Sequence, residues 1–70
     1  MAVSYKKLWK ILIDKDMKKK DLRELTKLSS STIAKMTKNE PVSTDVLIKI
    51  CAVLNCDVGD IMEIVPDSKE

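Results

Sequence analysis

The sequence predicts an all-α domain of five helices, on three observations. Helix-start signals recur along the chain, apolar residues fall at helical spacing in the segments between them, and no stretch of useful length alternates apolar and polar residues as a strand does. The start signal is a small polar or acidic residue at the N-cap, with an apolar residue just before it that staples onto another five positions on. Val3-Ser4 pairs in this way with Leu8, Leu28-Ser29 with Ile33, Val42-Ser43 with Leu47 and Cys56-Asp57 with Ile61. The second helix keeps the staple, Met17 to Leu22, but places Lys18 at the cap. Lysine cannot accept a hydrogen bond, so that start needs another acceptor or leaves its amides free.

The first helix is expected over 4–15, with Tyr5, Leu8, Trp9 and Leu12 at i, i+3, i+4 and i+7 and with Ile11 and Ile13 widening the stripe. The second, over 19–26, buries Leu22 and Leu25. The third, over 30–38, offers only Ile33 and Met36 and is mostly exposed. The fourth, over 44–54, carries Leu47, Ile50, Cys51 and Leu54 on one face and reads as the buried centre. Asn55 is a left-handed cap, and a fifth helix over 58–64 precedes Pro66.

Seventy residues, 44% apolar and 34% charged, supply one compact core, so a single domain over 1–66 with a polar tail at 67–70 is expected. The chain has no histidine and one glycine. It therefore lacks an imidazole for a nucleophile–base pair or a mixed Cys/His zinc site, and lacks the glycines of a phosphate-cradling loop. Neither catalysis, a bound metal nor a cofactor is expected. Cys51 and Cys56 make neither a disulfide framework nor a four-ligand site and are read as small core residues. No run approaches the roughly twenty apolar residues that span a bilayer, and the run at 8–13 is interrupted by Lys10. A cytoplasmic, reducing compartment and no membrane partner are expected.

The net charge of +2 hides an asymmetry. Residues 1–40 carry eleven basic residues against five acids, a balance of +6, and residues 41–70 carry two against six, a balance of −4. The basic half holds the informative stretch, 19–39: a short helix, a break at Lys27-Leu28-Ser29, and a helix whose outward face is Ser30, Ser31, Thr32, Ala34, Lys35 and Lys38. Leu22, Leu28, Ile33 and Met36 lock the two helices together and leave the second projecting. A projecting helix faced with small polar and basic side chains fits the DNA major groove.

This spacing resembles the helix-turn-helix of the phage-repressor family, the Cro and XRE type, and the five-helix layout is similar to the small free-standing members of that lambda-repressor-like fold over nearly the whole chain. The resemblance is carried by Leu22, Leu28-Ser29, Ile33 and Met36, and by the segment 41–51, PVSTDVLIKIC. Two positions depart from the family pattern. Arg23 stands where a small residue is usual, and Lys27 stands in the turn where glycine is common, so Lys27 meets left-handed strain if the turn keeps its shape.

The resemblance implies a sequence-specific, double-stranded DNA-binding transcriptional regulator, a repressor, acting on a palindromic operator as a homodimer with half-sites roughly 34 Å apart. It maps base contacts onto Ser30, Ser31, Ala34 and Lys35. Lys35 suits guanine O6 and N7, and Ala34 a thymine methyl. Backbone contacts fall on Lys19, Thr32, Lys38 and Asn39, with Lys18 heading a helix start whose amides face a phosphate. Ile61, Met62, Ile64 and Val65 are more apolar than a terminus needs and are expected to form or flank the dimer surface, with exposed residues of the first helix as the alternative. No small-molecule ligand is expected. A rival reading is a protein-interaction module, antitoxin-like, on the same fold. RNA binding is disfavoured, because one tryptophan and one tyrosine are a poor supply of stacking platforms.

Overall fold

In the computed structural model, which describes residues 2–66, the five helices form in the expected order. They are α1 (Lys6–Asp14), α2 (Lys19–Thr26), α3 (Ser30–Thr37), α4 (Thr44–Leu54) and α5 (Val58–Ile61). Two short strands that the sequence does not announce, β1 (Ala2–Ser4) and β2 (Glu63–Val65), pair antiparallel, with Ala2 opposite Val65, Val3 opposite Ile64 and Ser4 opposite Glu63. The expected tail at 67–70 lies outside the described residues.

The strands redraw both outer helices. Helix α1 starts two residues later than expected, with Tyr5 at its cap position, because Ser4 is engaged in the strand pair. Ser4 still serves the helix: its Oγ accepts the Lys6 N–H at 3.3 Å. Helix α5 stops at Ile61, and Met62 turns extended and leads into β2, where the neighbouring strand takes up the backbone groups that a longer helix would have bonded internally.

The inner helix starts follow the sequence signals. Ser29 Oγ accepts the Thr32 N–H at 3.2 Å and Ser43 Oγ the Val46 N–H at 3.4 Å, while Asp57 Oδ1 accepts the Val58 N–H at 2.9 Å. At the Lys18 start the other acceptor is Asp21, whose Oδ2 takes the Lys18 N–H at 2.9 Å. The amides of residues 19–21 precede the helical ladder, whose first bond runs from Leu22 N–H to Lys18 C=O at 3.1 Å.

Helix ends use one device four times. Asp16, Lys27, Asn39 and Asn55 all stand in the left-handed region, with φ of 56°, 60°, 59° and 54°. After α1, α3 and α4 the following residue folds back on the helix: Met17 N–H bonds Leu12 C=O at 2.8 Å, Glu40 bonds Lys35 at 2.9 Å and Cys56 bonds Cys51 at 3.1 Å. These six-to-one bonds are Schellman closures, which fold the residue after the left-handed one back over the residue five positions before it. The two cysteines therefore face each other as a helix-end contact, partly buried and free.

The core gathers Tyr5, Leu8 and Leu12 with Leu22 of α2, Leu28, Ile33 and Met36 around α3, Leu47, Ile50 and Leu54 of α4, and Ile61. Two apolar residues that periodicity places in the core lie outside it, and one expected at the dimer surface lies inside. Leu25 is 59% exposed and Ile13 is 72% exposed, while Ile61 is fully buried. In α2 the inward positions are Leu22 and, one turn on, Thr26, whose hydroxyl is satisfied by donating to Leu22 C=O at 2.7 Å. A threonine whose hydroxyl bonds within its own helix needs no other polar partner in the core, so Leu25 is left outside.

Candidate nucleic-acid interface

Helices α2 and α3 meet through Leu22, Leu28, Ile33 and Met36, all buried as the sequence predicts. With Ile33 and Met36 inward, a turn of about 3.6 residues carries Ser31, Ala34, Lys35 and Lys38 to the opposite side of α3 and leaves Ser30 on its flank. All five are exposed. The turn between the helices keeps its left-handed shape with Lys27 in it, at φ 60° and ψ 26°, so the strain expected of a lysine there is present. Arg23, the other departure, sits partly buried on α2.

Hydroxyls crowd the start of α3. Ser29 Oγ lies 3.0 Å from Ser31 Oγ and 2.9 Å from Thr32 Oγ1, in addition to its bond from the Thr32 amide. Ser31 and Thr32 therefore spend their hydroxyls on the cap, while Ser30 and Lys35 have no such side-chain bond among the described residues. Beside this face runs a groove of about 320 Å³, lined by Thr32 and Lys35 of α3 and by Pro41, Val42, Ser43 and Val46. Sequence reasoning assigned Ser43 only a capping role, and no local pattern announces that the loop before α4 flanks the outward face of α3.

Four of the residues expected to meet the DNA backbone already have partners, Thr32 through the Ser29 hydroxyl. Lys19 Nζ donates to Thr37 Oγ1 at 3.1 Å and sits 4.4 Å above the Trp9 ring, so it ties α2 to both α3 and α1. Thr37 accepts this bond while its own hydroxyl donates to Ile33 C=O at 3.0 Å. Asn39 accepts the Tyr5 N–H on Oδ1 at 3.2 Å, which makes it a structural residue at the end of α3. Lys18 is exposed, but its amide is bonded by the Asp21 carboxylate, a negative charge at the helix start where free amides were expected. Lys38 is exposed.

Of the expected dimer residues, Ile61 is withdrawn. It is fully enclosed by the chain's own core and has no surface to offer a partner. Ile64 is 56% exposed in the middle of β2, with Met62 and Val65 partly buried on either side. No helix among the described residues is long and apolar enough to cross a membrane.

A family model described as the Cro/C1-type HTH DNA-binding domain matches residues 7–67. A crystal structure of the transcriptional regulator VanUg superimposes on the chain with a TM-score of 0.92 at 61% sequence identity, over 94% of this chain and 88% of that one. No curated protein matches. With the two locked helices, the left-handed turn and the outward face of α3 all in place, the match over nearly the whole domain shows that the chain belongs to the Cro/C1-type helix-turn-helix DNA-binding family.

Proposed function

We propose that the chain is a transcriptional regulator, a repressor, that reads the major groove of a palindromic double-stranded operator with α3, as a homodimer. The observation that carries this reading is the outward face of α3, small and polar at its start and cationic at Lys35 and Lys38, on a helix held from behind by Ile33 and Met36. The similarity to VanUg, a transcriptional regulator, supports the regulatory role.

Lys35 is the residue for a guanine edge, Ala34 for a thymine methyl, and Ser30 and Ser31 for adaptable hydrogen bonds. Ser31 reaches a base by turning its hydroxyl away from Ser29, an exchange of one hydrogen bond for another. Lys18, Lys19, Thr32, Lys38 and the amide nitrogen of Asn39 meet phosphates, Lys19 by leaving Thr37. A compact domain seated in a promoter excludes other proteins from it, which makes repression the expected sign.

The dimer surface is the end carrying β2. Among the described residues the two-stranded sheet leaves two open edges with unpaired backbone donors and acceptors. Two copies of β2 paired across a two-fold axis centred on Ile64 place its exposed side chain against its twin, flanked by Met62 and Val65. The domain measures 36 × 23 × 18 Å, so a pair matches two half-sites roughly 34 Å apart.

Binding to duplex DNA as a function of salt tests the reading. Each phosphate neutralised contributes about −0.9 to the slope of log affinity against log salt, so several contacts give a steep fall. Lys35→Glu is expected to weaken binding to a duplex selected from a random pool more than binding to an unselected one. Equal losses make Lys35 a phosphate contact, and a flat salt profile sinks DNA recognition altogether.

A further inference from the structure

Helix α3 has eight residues and buries only two of its own side chains, so its pose is set largely at its two ends. The first end is held by the Lys27 turn and the Ser29 cap. The second closes through Asn39, whose N–H bonds Met36 C=O at 3.0 Å, and Glu40, whose N–H bonds Lys35 C=O at 2.9 Å. Tyr5 is fastened to this closing turn twice. Its main-chain N–H donates to Asn39 Oδ1 at 3.2 Å, and its phenol donates to Glu40 C=O at 2.8 Å. The two bonds reach adjacent residues, so the tyrosine holds the turn just before Pro41. The ring has no exposed surface, and Tyr5 directly follows β1.

An apolar residue would fill this space equally well. A phenol at zero exposure instead obliges its oxygen to find partners, and the partners here are main-chain groups of the turn that ends the outward-facing helix. That turn is bonded directly to the carbonyl of Lys35.

We propose that Tyr5 is the positioning residue of α3, fixing its C-terminal end through Asn39 and Glu40 so that Lys35 and Lys38 meet DNA in one register. The inference rests on the DNA-reading function proposed above. Tyr5 touches no DNA in this scheme and acts only through the turn.

Tyr5→Phe tests it, since it keeps the ring and removes the phenol donor. In the free protein the amides of Lys38, Asn39 and Glu40 are expected to exchange with solvent about fivefold faster relative to those of α4, the loss matching one hydrogen bond. Asn39→Gly, which keeps the left-handed backbone and deletes the acceptor, has the same effect, whereas Asn39→Asp retains protection. At a temperature where the variant is folded, Tyr5→Phe lowers the ratio of affinities for selected and scrambled duplexes by about fivefold. Its affinity for the scrambled duplex and its salt slope stay as in the parent. Faster exchange spread evenly over all helices, or an unchanged affinity ratio, overturns the positioning role. A parent chain that does not distinguish the two duplexes overturns the DNA reading instead, and the exchange pattern then judges the Tyr5 contact by itself.

Discussion

Lysine is an unusual occupant of a left-handed turn. Asparagine and aspartate visit that region with help from their short polar side chains, and they hold the other three helix ends of this chain, while its single glycine, Gly59, stands elsewhere. Lys27 has no such help, and a Cβ in this conformation costs about 1 kcal/mol. Lys27→Gly is therefore expected to raise the melting temperature by roughly 4–8 °C, the shift that about 1 kcal/mol produces in a domain of this size. Lys27→Ala removes the same charge but keeps the Cβ, so a gain shared by both variants would trace the effect to charge and refute the strain. The turn was expected from the resemblance to the family pattern, in which glycine is common where Lys27 stands. The matching role of Asn39 was not, since its side chain answers a donor thirty-four positions away.

Among the elements, α2 shows how far periodicity reaches. Leu22 and Leu25 are both apolar and three apart, and nothing local says which one faces the core. The packing of α2 against α4 decides, turning Leu22 and Thr26 inward. Leu22→Ala is expected to cost about 2–5 kcal/mol in chemical denaturation, as a buried leucine does, and Leu25→Lys less than about 0.5 kcal/mol. Comparable losses at the two positions contradict the orientation of the helix. The strands were invisible for a different reason. Three residues are too few to show an alternation, and β1 and β2 exist because they pair with each other across fifty-eight residues of chain.

For the molecule as a whole, the polarity read from the charge count separates the two proposed surfaces. The half with a +6 balance holds α3 and the lysines proposed to meet phosphates, and the half at −4 holds α5 and the strand proposed to meet a second copy. Native mass measurement at micromolar concentration with a palindromic duplex is expected to show two chains per duplex, and Ile64→Lys to reduce this to one. A parent chain that binds only singly removes the dimer. Alkaline stability is a second global property. Burial raises the Tyr5 phenol above its ordinary 10.0, the Val42 N–H opposing it, and burial beside Cys51, Asp60 and Asp57 pushes the Cys56 thiol from 9.0 up to about 11. Both groups hold their protons more tightly in the folded chain; the contribution of Cys56 is complete below pH 9 and is lost as pH rises towards about 11, and that of Tyr5 is lost above pH 10. Denaturation midpoints should fall over that window, and Cys56→Ala should flatten the fall; an equal fall in the variant assigns it to other groups.

What the sequence by itself determined is local: the order of the helices and the starts of the last four, the left-handed stop at Asn55, the Leu22–Leu28–Ile33–Met36 lock and the exposed face of α3. Each depends on residues within a few positions of one another, where backbone geometry leaves little choice. Tertiary structure alone decided that Thr26 and not Leu25 enters the core, that Ile61 is enclosed while Ile64 is open, that the chain ends pair as strands, and that Tyr5 grips the turn after α3. Those outcomes turn on contacts between segments distant in sequence, where several local choices are nearly equal in energy and packing and hydrogen-bond satisfaction select among them.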